Sequence, residues 1–312
     1  MTRTPIRRTA LWLMAVALVA GCAGSAALTA PADTDLPPPV RSVMRNGMRL
    51  IVQEHRAADI VAVYLFVGVG TRHETADQLG YAHFQEHMLF KGTDKFGPGY
   101  VDRVVEGVGG KSNAVTSFDY TTFYLILPAE ATATGIQLLS DMAFRSTFAP
   151  EEIAREREVI FEEARIEQDN PRSAIVRQLY ALVFAGHPYG RPVLGTRETM
   201  MAATQERLRA FNHRYYTPEN MTLVVAGPVD VGAVRAMAER SFGRPNNPGF
   251  KPTPPPVPRP IGGVVKRQVD RPEQQAHLAM GWQAPKSDDP AGDAVDLPLI
   301  SADEEKINWL LL

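Results

Sequence analysis

Residues 83–93 read HFQEHMLFKGT, directly after Tyr81 and Ala82. His83 and His87 are four apart, so on a helix their imidazoles stand one turn apart on one face. Glu86, three after His83, borders that face. Two ring nitrogens converging on one point, with a carboxylate beside them, suit a metal ion and the water it activates. The alternative reading is two surface histidines on a solvated helix. The chain has seven His and one Cys in 312 residues. A single cysteine rules out a zinc site built from several thiolates and rules out an intrachain disulfide. Metal chemistry therefore falls to His, Asp and Glu.

A catalytic zinc needs a third protein ligand and an open fourth position. The candidate segment is 151–167, EEIAREREVIFEEARIE. Glutamate-rich helices are usually solvated faces. Glu156 and Glu163, however, are seven apart and so lie roughly 20° apart around a helix. Ile153 and Ile160 share their stripe, which turns it toward protein. Carboxylates on an apolar stripe need a partner, and a metal cluster would be one. Glu162 is the rival of Glu163.

Outward from these segments the chain mixes strands and helices. Met48–Gln53, Ile60–Val67, Thr121–Leu127 and Met221–Ala226 read as strands. Helical patterns run over Gly80–Leu89, Tyr100–Val108, Ala129–Phe144, Pro150–Gln168, Ala174–Phe184, Arg197–Tyr215 and Val231–Phe242. Without a regular βαβ alternation the expected class is α+β. The composition, 45% hydrophobic and 22% charged, is that of a globular protein. A net charge of -2 gives no basic excess for nucleic acid and no acidic excess for disorder. Residues 245–260, PNNPGFKPTPPPVPRP, are too rich in proline for a core element and read as a semi-rigid spacer. Beyond it, Gly263–Val269 and His277–Trp282 look like strands.

At the other end, Arg3, Arg7 and Arg8 precede a short apolar run, Ala10–Ala20. That run is too short to span a bilayer comfortably, and with its basic flank it reads as a secretory signal. The exit Leu18-Val19-Ala20-Gly21-Cys22 resembles the bacterial lipobox. Ala23, Gly24 and Ser25 follow without an aspartate, which resembles the outer-membrane sorting pattern. The expectation is an exported, outer-membrane-anchored periplasmic lipoprotein, touching the membrane only through a lipid on Cys22. The alternative is a plain signal peptide with an incidental cysteine. The stretch through Arg41, with Pro31 and Pro37–Pro39, reads as a tether.

HFQEHMLFKGT, followed by EREVIFEE at 156–163, strongly resembles the pitrilysin/insulinase group of zinc peptidases, in its mitochondrial processing peptidase branch and bacterial relatives. Its order, HxxEH, reverses the HExxH of other zinc peptidases. GGKSNAVTSFDYTTFY (109–124), HPYGRPVLG (187–195) and FNHRYYTPENMTLVVAG (211–227) extend the resemblance, which covers nearly all of Val43 to Pro285. It implies a mostly antiparallel sheet flanked by helices and one zinc ion per chain. His83, His87 and Glu163 would be its ligands, Glu163 standing 76 positions after His87. Glu86 would be the general base, and Glu156 a supporting residue close by. Asn113 and Ala114 match the edge strand along which a substrate peptide lies. From the residues alone, Asn113 after Gly109 and Gly110 reads as a turn residue. HPYG also reads as a turn, and His73, His187 and His213 are given structural or surface roles.

The organisation expected from this is a signal peptide (1–21), a tether (22–41), a zinc-binding peptidase domain (42–244), a proline-rich linker (245–262) and the start of a C-terminal peptidase domain (263–312). The ending AVDLPLISADEEKINWLLL departs from the family pattern and reads as a truncated or frame-shifted product. The expected function is a zinc endopeptidase acting on peptides or unfolded segments. The alternative is a non-catalytic or incomplete subunit needing a homologous partner that supplies the second domain.

Overall fold

The computed structural model describes residues 36–243, 250–251, 254, 256–272 and 275–283, with the backbone of 299–303 and 306–310. The signal run, Cys22 and most of the tether lie outside the described residues.

Six strands form one sheet: β1 (Val40–Val43), β2 (Arg49–Glu54), β3 (Ile60–Val67), β4 (Lys111–Thr116), β5 (Thr121–Pro128) and β6 (Met221–Gly227), in the order β1-β2-β6-β3-β5-β4. Every neighbouring pair is antiparallel except β2 and β6. The period-two pattern of β3 decides its faces: Val61, Val63, Leu65 and Val67 are buried, and the residues between them are only half-buried. In register, Val63 lies between Leu125 of β5 and Val225 of β6, both fully buried. One sheet face is thus a continuous apolar surface, and it needs a covering layer.

Helices supply that layer: α1 (Tyr81–Met88), α2 (Tyr100–Gly107), α3 (Thr132–Arg145), α4 (Pro150–Asp169), α5 (Pro171–Val183), α6 (Arg197–Met201), α7 (Gln205–Tyr215) and α8 (Val231–Phe242). α3 packs on β3 and β5, α8 on β2, and α1 on β4 and β5. The α+β expectation and its mostly antiparallel sheet hold. α4 opens with Pro150 in its first turn, followed by Glu151 and Glu152, where proline and acidic side chains suit a helix start. Asn170 then separates α4 from α5, its side chain accepting from the backbone N–H groups of Arg172 and Ser173.

Three expectations need correction. The tether ends earlier than Arg41, because Val40 and Arg41 pair with Val52 and Ile51 in the sheet. The helix expected over Arg197–Tyr215 is broken at residues 202–204. Thr204 accepts from the N–H of Arg207 and starts α7 afresh. Residues 263–269 and 277–282 form no strand, since no described strand lies alongside them to complete a ladder. Side-chain bonds hold this part of the chain to the helices: Arg271 donates to the carbonyls of Gln168 and Asp169, and Gln283 to that of Val183. Further on, β7 (Leu299–Asp303) and β8 (Lys306–Leu310) form a separate antiparallel pair. No described helix is long and apolar enough to cross a membrane.

Candidate metal centre

α1 buries Tyr81, Ala82, Phe84, Gln85 and Met88, which leaves His83, Glu86 and His87 on its remaining face. Gln85 fixes the helix's rotation. Its Nε2 donates to the carbonyl of Leu208 at 2.8 Å, and its Oε1 accepts from Asn212 Nδ2 at 3.2 Å, both on α7. α4 packs beside α1 and buries Ile153, Glu156 and Ile160. The stripe read from the seven-residue spacing therefore does face protein, with Glu163 at its half-exposed end.

This packing places Glu163 Oε2 3.6 Å from His83 Nε2 and 3.5 Å from His87 Nε2. One donor atom from each of the three residues lies within 4.8 Å of the others. Tetrahedral zinc with ligand bonds of about 2.0–2.2 Å separates its ligand atoms by about 3.3–3.6 Å. The donor set of two imidazoles and one carboxylate therefore fits zinc in its chemistry and in the two histidine–carboxylate spacings. His83 adds an independent sign. Its Nε2, which faces the cluster, has only the Glu163 carboxylate near it, beyond hydrogen-bond reach, so a metal there would give that nitrogen a partner.

Glu156 is almost fully buried and bridges His87 Nδ1, at 3.0 Å, to Lys91 Nζ, at 2.8 Å. A carboxylate on one ring nitrogen fixes the tautomer and turns the other nitrogen toward the cluster. Glu162, the rival carboxylate, is exposed and paired with Arg165 at 2.6 Å, so it is not brought to the histidines. Burial drives the His83 imidazole down to about 4. Burial acts the same way on His87, but the Glu156 and Glu163 carboxylates outweigh it and lift His87 to about 9. Burial also raises Glu86, against hydrogen bonds from Thr116 that hold it down.

Thr116 belongs to β4, which pairs with β5 on one side and has no strand on its other side among the described residues. Asn113 and Ala114 lie in this strand, opposite Tyr124 and Phe123. The turn reading of Asn113 is thereby corrected: the turn ends at Gly110 and the strand begins at Lys111. The N–H of Ala114 is accepted by the Asn113 side chain at 2.9 Å. Of the other histidines, His187 is buried and bridges the N–H of Tyr189 to the carbonyl of Pro256, tying the proline-rich linker to the fold. His73 is largely buried beside Tyr215, and His213 is exposed. Gln85, Lys91 and Thr116 escaped the sequence reading, because their partners lie on elements distant in the chain.

Residues 49–197 match the insulinase family, peptidase family M16, and residues 202–297 match the peptidase M16 inactive domain. The chain belongs to peptidase family M16. The second match begins at residue 202, so it takes in α7, α8 and β6, the strand between β2 and β3 in the sheet. The uncharacterised zinc protease YmxG of Bacillus subtilis is 32% identical over 243 residues, covering 78% of this chain and 58% of that protein. An uncharacterised zinc protease of Mycobacterium leprae is 33% identical over 247 residues, covering 78% and 56%. The chain thus spans under two thirds of the length of these relatives. Among solved structures, the periplasmic protease PqqL of Escherichia coli aligns with a TM-score of 0.66 and 28% identity, over 71% of this chain and 26% of that one. The ferredoxin protease FusC, solved in complex with Arabidopsis ferredoxin, aligns with a TM-score of 0.64 and 27% identity, over 72% and 26%.

Proposed function

We propose that this chain carries the metal-binding half of a zinc endopeptidase that cleaves peptides or unfolded protein segments. The observation that carries this reading is the convergence of His83, His87 and Glu163 with Glu86 on the same helix face. A single zinc ion held by His83, His87 and Glu163 would supply a Lewis acid that acidifies water and polarises a peptide carbonyl. Glu86 is the proton carrier: it takes the proton from the attacking water and delivers it to the leaving amine. Its burial suits this work, since a carboxylate raised toward neutral pH both accepts and returns a proton readily. Glu156 orients His87, and Thr116 steadies Glu86 from the edge strand. A substrate would add to β4 as a further strand, with main-chain hydrogen bonds at Asn113 and Ala114 giving affinity. FusC, a ferredoxin protease solved in complex with ferredoxin, is a precedent for a protein as substrate.

In this reading residues 40–244 form the zinc-binding domain, 245–262 the linker, and the residues from 263 on belong to a second domain. The alternative is a subunit that works only with a homologous partner. Hydrolysis of a quenched peptide by the purified chain, alone and mixed with a homologous second-domain protein, tests both. Cleavage by the chain alone is the expected result. Cleavage only in the mixture supports the split enzyme, and zinc-loaded protein inactive in both contradicts the peptidase reading.

Export with a lipid on Cys22 is proposed from the signal and lipobox residues. Cells expressing the chain and fed a palmitate analogue are expected to label the wild type and not Cys22→Ser. An unlabelled wild type contradicts the anchor.

A further inference from the structure

The segment HPYGRPVLG takes no part in the proposed chemistry, and neither does the buried carboxylate of Glu74. Both converge on the start of α1. Gly80 opens this helix in the left-handed conformation, φ +86°, and carries no side chain to cap it. The first N–H groups of any helix lack intrahelical acceptors. Here Glu74, 4% exposed, supplies them: Oε2 accepts from Gly80 N–H and Oε1 from Ala82 N–H, each at 2.8 Å. Between them, the N–H of Tyr81 goes to the carbonyl of Gln78 at 3.0 Å.

Glu74 is itself held. Arg191 Nη1 donates to its carbonyl at 2.8 Å, and its N–H reaches the carbonyl of Thr71. The same segment as Arg191 closes on the helix start. Gly195, at φ +75°, lies so near that a Cβ there would meet the carbonyl oxygen of Leu79 at 2.3 Å. Thr199 Oγ1 donates to that oxygen at 2.7 Å. Burial works against a charge on Glu74 and pushes it up to about 8, while the amides it holds and Arg191 pull the other way. The carboxyl's two oxygens are thus held at the helix start by backbone amides, in a site closed to water.

We propose that Glu74 is a positioning residue of the metal centre: its two oxygens clamp the first turn of α1 and so set where His83, Glu86 and His87 stand against Glu163. This rests on reading the cluster as a zinc site. α1 has only eight residues, so its first turn, together with the Gln85 anchor in its middle, sets the placement of all three side chains. Ala82, one of the clamped residues, adjoins His83.

Glu74→Gln keeps the size of the side chain but turns an N–H₂ toward one backbone N–H. Zinc affinity, measured by competition with a chelator, is expected to weaken by about tenfold or more, the scale of an outer-shell change. The visible spectrum of the cobalt-substituted protein is expected to change in intensity, which a loss of stability alone would not produce. Hydrogen exchange across 80–84 is expected to quicken. Glu74→Asp, which keeps the carboxyl group but is too short to span both amides, is expected to fall between. Wild-type zinc affinity and an unchanged cobalt spectrum in Glu74→Gln overturn the proposal. Should that variant fail to fold, Arg191→Met removes the hold on the Glu74 carbonyl from a half-buried position. It is expected to weaken zinc in the same direction, and wild-type affinity there also overturns the proposal. A wild-type protein that binds no zinc overturns both this proposal and the peptidase reading, whereas zinc-binding wild type with an indifferent Glu74→Gln overturns this proposal alone.

Discussion

Glu86→Gln is expected to retain its zinc and to lose peptide hydrolysis by about 10²–10⁴-fold, the contribution of a positioned general base. The two outcomes separate because Glu86 lies on the metal-facing side of α1 without contributing to the three-donor cluster. An amide of the same shape keeps the packing and the contact with Thr116 on the edge strand, but it cannot take a proton from water. Burial raises the Glu86 carboxyl above its ordinary range, so the lost function is that of a strengthened base. The check is steady-state hydrolysis of a quenched peptide alongside the metal content of the same samples, in whichever preparation the wild type cleaves. Activity within twofold of wild type would overturn the assignment of Glu86. Loss of both zinc and activity would show instead that Glu86 supports the metal.

The second large effect distinguishes two adjacent carboxylates. Glu163→Gln is expected to weaken zinc by more than the 10–100-fold typical of outer-shell partners. Glu162→Gln is expected to leave zinc affinity unchanged. Glu163 Oε2 stands within 3.6 Å of both imidazoles, and His87 holds its carboxyl below the usual range. Glu162 points elsewhere and is engaged with Arg165. Isothermal titration of zinc into both variants reads the difference directly. Equal losses would mean that the helix as a whole, and not one carboxylate, supports the metal.

How much of this was legible in the sequence depended on how local the determining interactions are. The α4 stripe was legible because a seven-residue spacing and two isoleucines fix a helical face without reference to the rest of the chain. The pair His83 and His87 was legible for the same reason. The edge strand was not: KSNAVT has few strongly strand-forming residues, and its pairing with β5 decides its conformation. β1 was hidden by the prolines just before it and by its dependence on β2. The helix break at 202–204 turned on one threonine acting as a cap, where apolar periodicity ran on undisturbed. Glu74 was invisible for a different reason. A carboxylate seven residues ahead of a helix becomes its cap only if residues 75–79 fold back, and that path depends on Arg191, Gly195 and Thr199, more than a hundred positions away. The residues that could touch a metal could be read from the sequence, whereas those that hold them in place come from long-range packing.

The central claim is that His83, His87 and Glu163 hold one metal ion. A zinc-edge anomalous difference map from crystals of the wild-type chain grown with zinc tests it most directly. The account predicts one strong peak per chain, bonded to a nitrogen of His83, a nitrogen of His87 and an oxygen of Glu163. No peak at these residues, or a peak held by other side chains, would contradict it.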